Sequence, residues 1–473
     1  MLCSVRVAYA QHFKSSPHLV NLIEHSAARN AFWSVTVRDS SGNIIQQYNK
    51  DKLIKPASNL KLLTSAAVLN ELGPDYQYKT GIYGMGTLRD SVWNGDIIFR
   101  GAGDPSISGT MYREDRFHVF DEYFKILDSL GIRRINGNII GNDAFFDNKP
   151  YPKGWDWDDL SFYYAVEIGA LSFNNNTVDL EVFADGKIGN TPRIEWFPYN
   201  TDYVQFINNQ IITPPGTEYD EYYRRILGTN TIILGSKLPK GYYEKESLSI
   251  NNPTLYFLDS FKKYLENSGV AVKGSLIVDH QDLDWDNPKY VLLGSHKSLP
   301  VDSLLHQINK ESNNFFTEMM LKTAAAKHYG IQGSTELGIQ LVKEFAHEIK
   351  MDTTQIKMTD GSGMSASTLI TTNNITLLLQ NMRNSPYFES YYRSLSVAGE
   401  DGTFSHRFND SIIKGRIHGK SGYISGVRTM SGYLKSAKNH KLIFSIATNH
   451  FNTKTKYVDR IQEQIVKWLY NIF

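Results

Sequence analysis

Cysteine is almost absent: the 473-residue chain has one, Cys3. A single thiol excludes both a disulfide framework and a cysteine-ligated zinc site. Long apolar runs are missing as well. Past the first residues nothing approaches the 18 or so consecutive apolar residues of a membrane span, so no transmembrane span is expected. Charge of one sign is also lacking, with 50 Lys and Arg against 49 Asp and Glu and a net charge of +1. That balance supplies neither a basic field for nucleic acid nor an acidic tail, so no nucleic-acid partner is expected. There is no H-E-x-x-H motif and no dense Cys/His cluster, and a G-x-S-x-G elbow is missing too. No metal and no cofactor are expected.

What is present suggests several domains, since length alone argues for about three. The N-terminal MLCSVRVAYAQHF closes a short apolar run on Ala8-Tyr9-Ala10, followed by Gln11. This A-x-A pattern resembles the end of a secretory signal, with residues 1–10 as its remnant, and a frayed tail is the plainer alternative. Residues 16–29 read as a helix, and Ala31 to Asn49 as two strands joined by a turn at Asp39 to Asn43. In KPASNLKLLTSAAVLNELGP, Lys55 to Pro74, apolar residues fall at helical spacing until Gly73-Pro74 ends the run. Near the C-terminus Ile412 to Lys420, Thr429 to Leu434 and Leu442 to Thr448 read as strands, and Asp459 to Leu469 as an amphipathic helix.

The middle is rich in Tyr, Asn and Gly and contains a repeat. FKILDSLGIRRINGNIIGND (Phe124 to Asp143) and FKKYLENSGVAVKGSLIVDH (Phe261 to His280) each give a helix, a Gly, a short apolar link, a second Gly and an apolar strand. The expected organisation is nested. Residues 11–82 and 297–473 form a discontinuous main domain, 83–168 and 255–296 an inserted domain, and 169–254 a β-rich domain inserted in turn.

Ser58 and Lys61 stand one helical turn apart at the start of the Lys55 to Pro74 helix. Residues i and i+3 share a helix face, and a serine hydroxyl becomes a nucleophile when a neighbouring base takes its proton. Free N–H groups at a helix start favour the negative charge that develops. The pattern alone is weak, because Ser260 with Lys263 and Ser411 with Lys414 match it equally, and serine is also a common N-cap.

Two further elements add weight. Ser312-Asn313-Asn314 opens a helix that Gly330 ends, and Lys420-Ser421-Gly422 follows a strand pattern. S-x-x-K, S-D-N and K-T-G in this order mark penicillin-binding proteins and class A β-lactamases. Here Asn replaces Asp at 313 and Ser replaces Thr at 421. Lys79-Thr80-Gly81 is a more literal third motif, but it precedes any S-x-N candidate. The glycines around Lys420 would let a substrate backbone lie close along the strand.

GAGDPSISG (Gly101 to Gly109), GWDWDDL (Gly154 to Leu160), GALSFNNNTVDL (Gly169 to Leu180), DGSGMSAST (Asp360 to Thr368) and SVAGEDGTF (Ser396 to Phe404) complete a set. In this order the set resembles the D-alanyl-D-alanine carboxypeptidase/endopeptidase group of class C low-molecular-mass penicillin-binding proteins, from about residue 16 to the C-terminus. The resemblance implies a multidomain α+β fold, with a β-lactamase-like transpeptidase domain of antiparallel sheet and helices carrying nested, β-rich insertions. It implies a serine D,D-carboxypeptidase or D,D-endopeptidase acting on peptidoglycan peptides, inhibited covalently by β-lactams and exported to the periplasm or another extracytoplasmic space.

By that resemblance Ser58 is the nucleophile, Lys61 its base, and Ser312 the relay to the leaving nitrogen. Asn314 holds the substrate amide, Lys420 supplies positive charge, and Ser421 receives the terminal carboxylate. Gly422 lets the substrate approach, and the N–H groups of Ser58 and Tyr423 form an oxyanion hole. Asp143 resembles the inserted-domain position that binds the amino end of a diaminopimelate-type side chain, although a solvated loop aspartate fits too and Asn142 competes for the alignment. Asp360 and Ser362 shape a cleft wall or a plain turn. His418 has no matching Asp, which favours a structural role. The PYNTDYVQF stretch, Pro198 to Phe206, reads as sheet packing rather than a sugar platform. Two other functions stay open: a noncatalytic cell-wall binding module and a β-lactamase.

Overall fold

The computed structural model describes residues 15–408 and 412–473. The signal-remnant reading of residues 1–10, Cys3 and Ser411 lie outside them. Two compact units are present, one of Met1–Leu63, Ala346–Met358 and Ala366–Phe473, the other of Thr64–Phe345 and Thr359–Ser365.

The first unit is built on a six-stranded antiparallel sheet. Its order is Ser396–Val397, Ile417–Ile424, Val427–Lys435, Lys441–Asn449, Phe32–Arg38 and Ile44–Tyr48. The turn before Ile44 forms because the Asp39 carboxylate accepts the Ser41 and Asn43 N–H groups at 2.8 and 2.9 Å. Phe32–Arg38 is covered on both faces. Trp33, Val35 and Val37 enter a core with Phe444, Ile446, Ile465 and Leu469, whereas Ser34 and Thr36 hydrogen-bond Thr372 of helix Thr372–Arg383 at 2.7 and 2.8 Å.

The second unit holds a seven-stranded sheet in which both halves of the repeat take part. Arg134–Ile135 pairs in parallel with Ala271–Val272, and Ile139–Asn142 with Leu276–Asp279. The second glycine of each half is a steric requirement. A Cβ at Gly137 would lie 2.0 Å from the Gly95 carbonyl oxygen, and one at Gly274 would lie 2.1 Å from that of Gly137. The repeat helices, His118–Ser129 and Pro253–Asn267, bury Phe120, Tyr123, Phe257 and Phe261 around Phe99, with ring centroids 4.9 to 5.3 Å apart for most pairs. Smaller sheets between Thr177 and Ser249 make up the β-rich segment. Among the described residues no helix is long and apolar enough to cross a membrane.

Several boundaries differ from the sequence reading. The strand expected at Ile412 to Lys420 runs over Ile417–Ile424, because Gly415 adopts φ 70° and Arg416 N–H closes a turn on Ile413 O. Lys420-Ser421-Gly422 therefore lies within a strand rather than at its end. The first helix stops at Glu24, where Ser26 N–H bonds Ile23 O and the Ser26 hydroxyl accepts from Ala28 N–H. The last helix extends to Thr455–Ile472.

A buried ion pair ties helix Asn314–Tyr329 to the segment after the first repeat half. Lys322 is 1% exposed, and its ammonium reaches Asp147 Oδ1 at 2.7 Å and Lys149 O at 2.9 Å. Lys322→Ala leaves a largely buried carboxylate unpaired and should cost roughly 3 to 5 kcal/mol, whereas Lys322→Met with Asp147→Leu should recover most of it. Chemical denaturation of the three proteins measures this; equal midpoints for the single and double variants would contradict it.

Candidate active site

Ser58 sits in a single 3-10 turn, Ala57–Asn59, that runs into helix Leu60–Leu72. Ala57 holds φ 46°, a left-handed conformation that costs a non-glycine residue on the order of 1 kcal/mol. The turn is held by the neighbouring strands. Asn59 Nδ2 donates to Lys420 O at 3.2 Å and to Thr429 Oγ1 at 2.8 Å, and Thr429 Oγ1 donates to Pro56 O at 2.7 Å. Lys61 follows one turn later, fully buried, with Nζ 3.0 Å from Ser58 Oγ. Its burial is unusual for a lysine.

Strand Ile417–Ile424 brings the third motif to the same turn. Gly422 pairs with Thr429, and a Cβ there would meet Thr429 Oγ1 at 2.4 Å and both Pro56 O and Ser58 N at 2.9 Å. Lys420 is buried, with Nζ donating to Ser421 O at 3.0 Å. Ser421 is buried, while Tyr423 is 56% exposed. On the far edge, Ser396–Val397 covers only His418 and Gly419. Among the described residues no strand pairs with Ser421 to Ile424 along that edge, which leaves room for an added extended peptide. His418 stacks on Tyr392 at 4.0 Å.

The second unit carries the other motif residues. Ser312 has φ 61°. Asn313 caps helix Asn314–Tyr329 by accepting Phe316 N–H at 3.1 Å, and Asn314 Nδ2 donates to Tyr164 O at 2.7 Å. One turn further on, Glu318 is fully buried and accepts N–H groups from Gly361 and Ser362 at 2.9 and 2.8 Å. Asp360 in that loop accepts from Ser365 N–H at 2.8 Å and Trp155 Nε1 at 3.2 Å. Burial first, and then the Asp360 charge, push the Glu318 carboxyl up to about 7.

Glu318 and Trp155 were not singled out as site residues from sequence, although a lone acid inside FFTEMMLKTAAA was a visible hint. Asp143 lies apart from Asn314 in the sequence and lines a cavity of about 380 Å³ with Glu167, Asn251 and His280. Its carboxylate accepts from Thr254 Oγ1 at 2.6 Å, and His280 Nδ1 lies 2.5 Å away. The decoys separate on burial: Ser260 is buried and Lys263 exposed, and Lys79-Thr80-Gly81 starts the strand Lys79–Arg89 of the other sheet. Among the described residues the carboxylates of Glu221, Glu244 and Glu246 come within 4.8 Å of one another, and Glu244 already accepts from Tyr219 and Tyr223.

Two outcomes follow from this geometry. Gly422→Ala should displace the Ser58 turn and slow any acylation of the Ser58 hydroxyl about a hundredfold or more, since an ångström of misplacement costs that much; an unchanged acylation rate would contradict it. For Glu318 the folded carboxyl titrates near 7 against an ordinary 4.5. The folded state therefore holds the extra proton between those values, and its contribution to stability falls as pH rises through that window. Glu318→Gln should flatten the fall in melting temperature between about pH 4.5 and 7, and parallel curves would contradict it.

The chain is similar to the D-alanyl-D-alanine carboxypeptidase of Actinomadura sp. strain R39, 28% identical over 443 residues that cover 90% of this chain and 79% of that protein. Its structure matches penicillin binding protein 4 from Haemophilus influenzae with a TM-score of 0.84 at 21% identity, covering 96% of this chain and 100% of that one. Bd3459, a predatory peptidoglycan endopeptidase from Bdellovibrio bacteriovorus, matches with a TM-score of 0.51 at 15% identity, covering 93% and 92%. These structural likenesses establish the fold. The model of the D-Ala-D-Ala carboxypeptidase 3 (S13) family matches residues 18–472, and the chain belongs to that family.

Proposed function

We propose that the chain cleaves the peptide bond that follows a D-alanine in peptidoglycan peptides through an acyl-enzyme on Ser58, releasing D-alanine as a carboxypeptidase, the amine of a cross-linked peptide as an endopeptidase, or both. The observation that carries this reading is the fully buried Lys61 amine, 3.0 Å from Ser58 Oγ, beside an open strand edge. Burial favours the neutral amine, which can accept the Ser58 proton. Ser58 Oγ then attacks the carbonyl carbon. Charge on the oxygen is met by the Ser58 and Tyr423 N–H groups, worth on the order of 3 kcal/mol per donor in comparable sites.

As the tetrahedral adduct collapses, the C–N bond breaks and the amine leaves with a proton relayed through Ser312. Asn314 holds the substrate amide, Lys420 adds positive charge that helps keep Lys61 neutral, and Ser421 receives the terminal carboxylate. Gly422 leaves room for the substrate backbone along the strand. Water attacks the ester, the peptide acid departs, and Ser58 regains its proton. Asp143 would take the amino end of the stem-peptide side chain, since a carboxylate has acceptor capacity beyond Thr254 and His280. The reading extends to β-lactams as covalent inhibitors, to residence outside the cytoplasm, and to the nested division of 11–82 with 297–473, 83–168 with 255–296, and 169–254. Membership of the carboxypeptidase family over residues 18–472 supports it.

Release of D-alanine from a peptide ending in D-Ala-D-Ala tests the reading. Ser58→Ala and Lys61→Met should each lower kcat at least a thousandfold with the melting temperature retained. Turnover by Ser58→Ala would refute the nucleophile. Penicillin hydrolysis faster than D-alanine release would favour a β-lactamase, and neither reaction in a folded wild type would favour a noncatalytic binding module.

A further inference from the structure

Glu318 bears on Asn314 by way of a loop. Asn314 Nδ2, besides donating to Tyr164 O at 2.7 Å, lies 3.6 Å from Met364 Sδ. Met364 belongs to the segment Thr359–Ser365, which lies in the same compact unit as Asn314 and Glu318.

Three side chains hold that loop. Glu318 Oε1 accepts the Gly361 and Ser362 N–H groups at 2.9 and 2.8 Å, and Oε2 accepts from Gly361 N–H at 3.2 Å. Thr64 Oγ1, on helix Leu60–Leu72, donates to Gly361 O at 2.6 Å. Trp155 Nε1 donates to Asp360 Oδ2 at 3.2 Å, and Ser365 N–H and Ser362 Oγ donate to the same oxygen at 2.8 and 3.3 Å. The loop that touches Asn314 is therefore fastened to two helices and to the segment that carries Trp155.

Of these three holds, the one from Glu318 is set by a buried proton. Asp360 in the loop is the charge that faces Glu318, and Thr64 on the facing helix is uncharged. On the same two helices the Lys322 ammonium is taken by Asp147, and Lys61 Nζ by Ser58. Burial, and then Asp360, push the Glu318 carboxyl up to about 7. The ionised form makes charge-assisted bonds to both N–H groups, about twice as strong as neutral ones. A proton on Oε2 turns that oxygen from acceptor to donor and leaves an uncharged Oε1 to accept both. Ionisation thus tightens the loop even though it lowers the stability of the whole fold.

We propose that Glu318 is a positioning residue, whose carboxylate holds the loop, and through Met364 the Asn314 side chain, in the arrangement that receives substrate. The proposal rests on the Ser58 reading and adds to it a pH-dependent setting of the Asn314 contact.

The test reads kcat/KM for D-alanine release, as the ratio of wild type to Glu318→Gln across pH. Glutamine keeps the shape and, like the protonated acid, offers one acceptor oxygen and a donor. Lys61 titrates in both proteins, so the ratio isolates Glu318. It should reach at least about fivefold near pH 8.5 and fall below about twofold near pH 5.5, because only the ionised wild type differs from the variant. A ratio that stays level, whether near one or large, overturns the proposal, since a merely structural role does not follow pH. If Glu318→Gln does not fold, hydrogen exchange of wild-type Thr359–Ser365 decides. Protection of the Gly361 and Ser362 N–H groups, corrected for the intrinsic rate, should rise at least about threefold over the same range; level or falling protection overturns the proposal. Failure of the Ser58 reading shows separately, as a folded wild type that releases no D-alanine while this protection still rises with pH.

Discussion

The Ser58 turn is pinned to the strand that carries Lys420 and to its neighbour Val427–Lys435 by three hydrogen bonds and one missing side chain. Asn59 donates to Lys420 O and Thr429 Oγ1, Thr429 donates to Pro56 O, and Gly422 leaves the space that lets Ser58 N–H approach. Without this clamp Ser58 and Lys61, the proposed nucleophile and base, would still be three residues apart on one turn, but they would not face the strand edge. Catalysis by positioned groups depends on fixed geometry, and here Asn59, Thr429 and Gly422 fix it. The strained Ala57 is consistent with a turn held by its surroundings.

A comparable arrangement supports the second group of motif residues. Asn313 caps the helix that begins at Asn314, and Glu318 one turn later gathers the N–H groups of Gly361 and Ser362. A buried carboxyl in an apolar helix is expensive unless hydrogen-bonded, and the DGSGMS loop supplies those bonds. Asp360 in turn receives Trp155 and Ser365. The loop is therefore more than the plain turn its composition allows.

Much of this was legible because it is local. Helix periodicity placed Leu60–Leu72, turn chemistry placed Asp39 to Asn43, and the second glycine of each repeat half marked where the chain approaches too closely for a Cβ. The strand that carries Lys420 was misplaced by several residues because apolar Ile412 and Ile413 look like strand, while the Gly415 turn that excludes them is set by backbone conformation. Glu318 escaped notice because helical spacing says which residues share a face, not which acid will be buried against a loop some forty residues away. The partners of Asp143, Thr254 and His280, lie more than a hundred residues off, beyond any spacing rule.

The central claim is that Ser58 is an activated acyl-acceptor. Mass spectrometry of the protein after treatment with a fluorescent penicillin, beside Ser58→Ala, tests it most directly. The account predicts one adduct per chain, on the peptide that contains Ser58, absent from the variant. An adduct on another residue, or one that persists in folded Ser58→Ala, would contradict it.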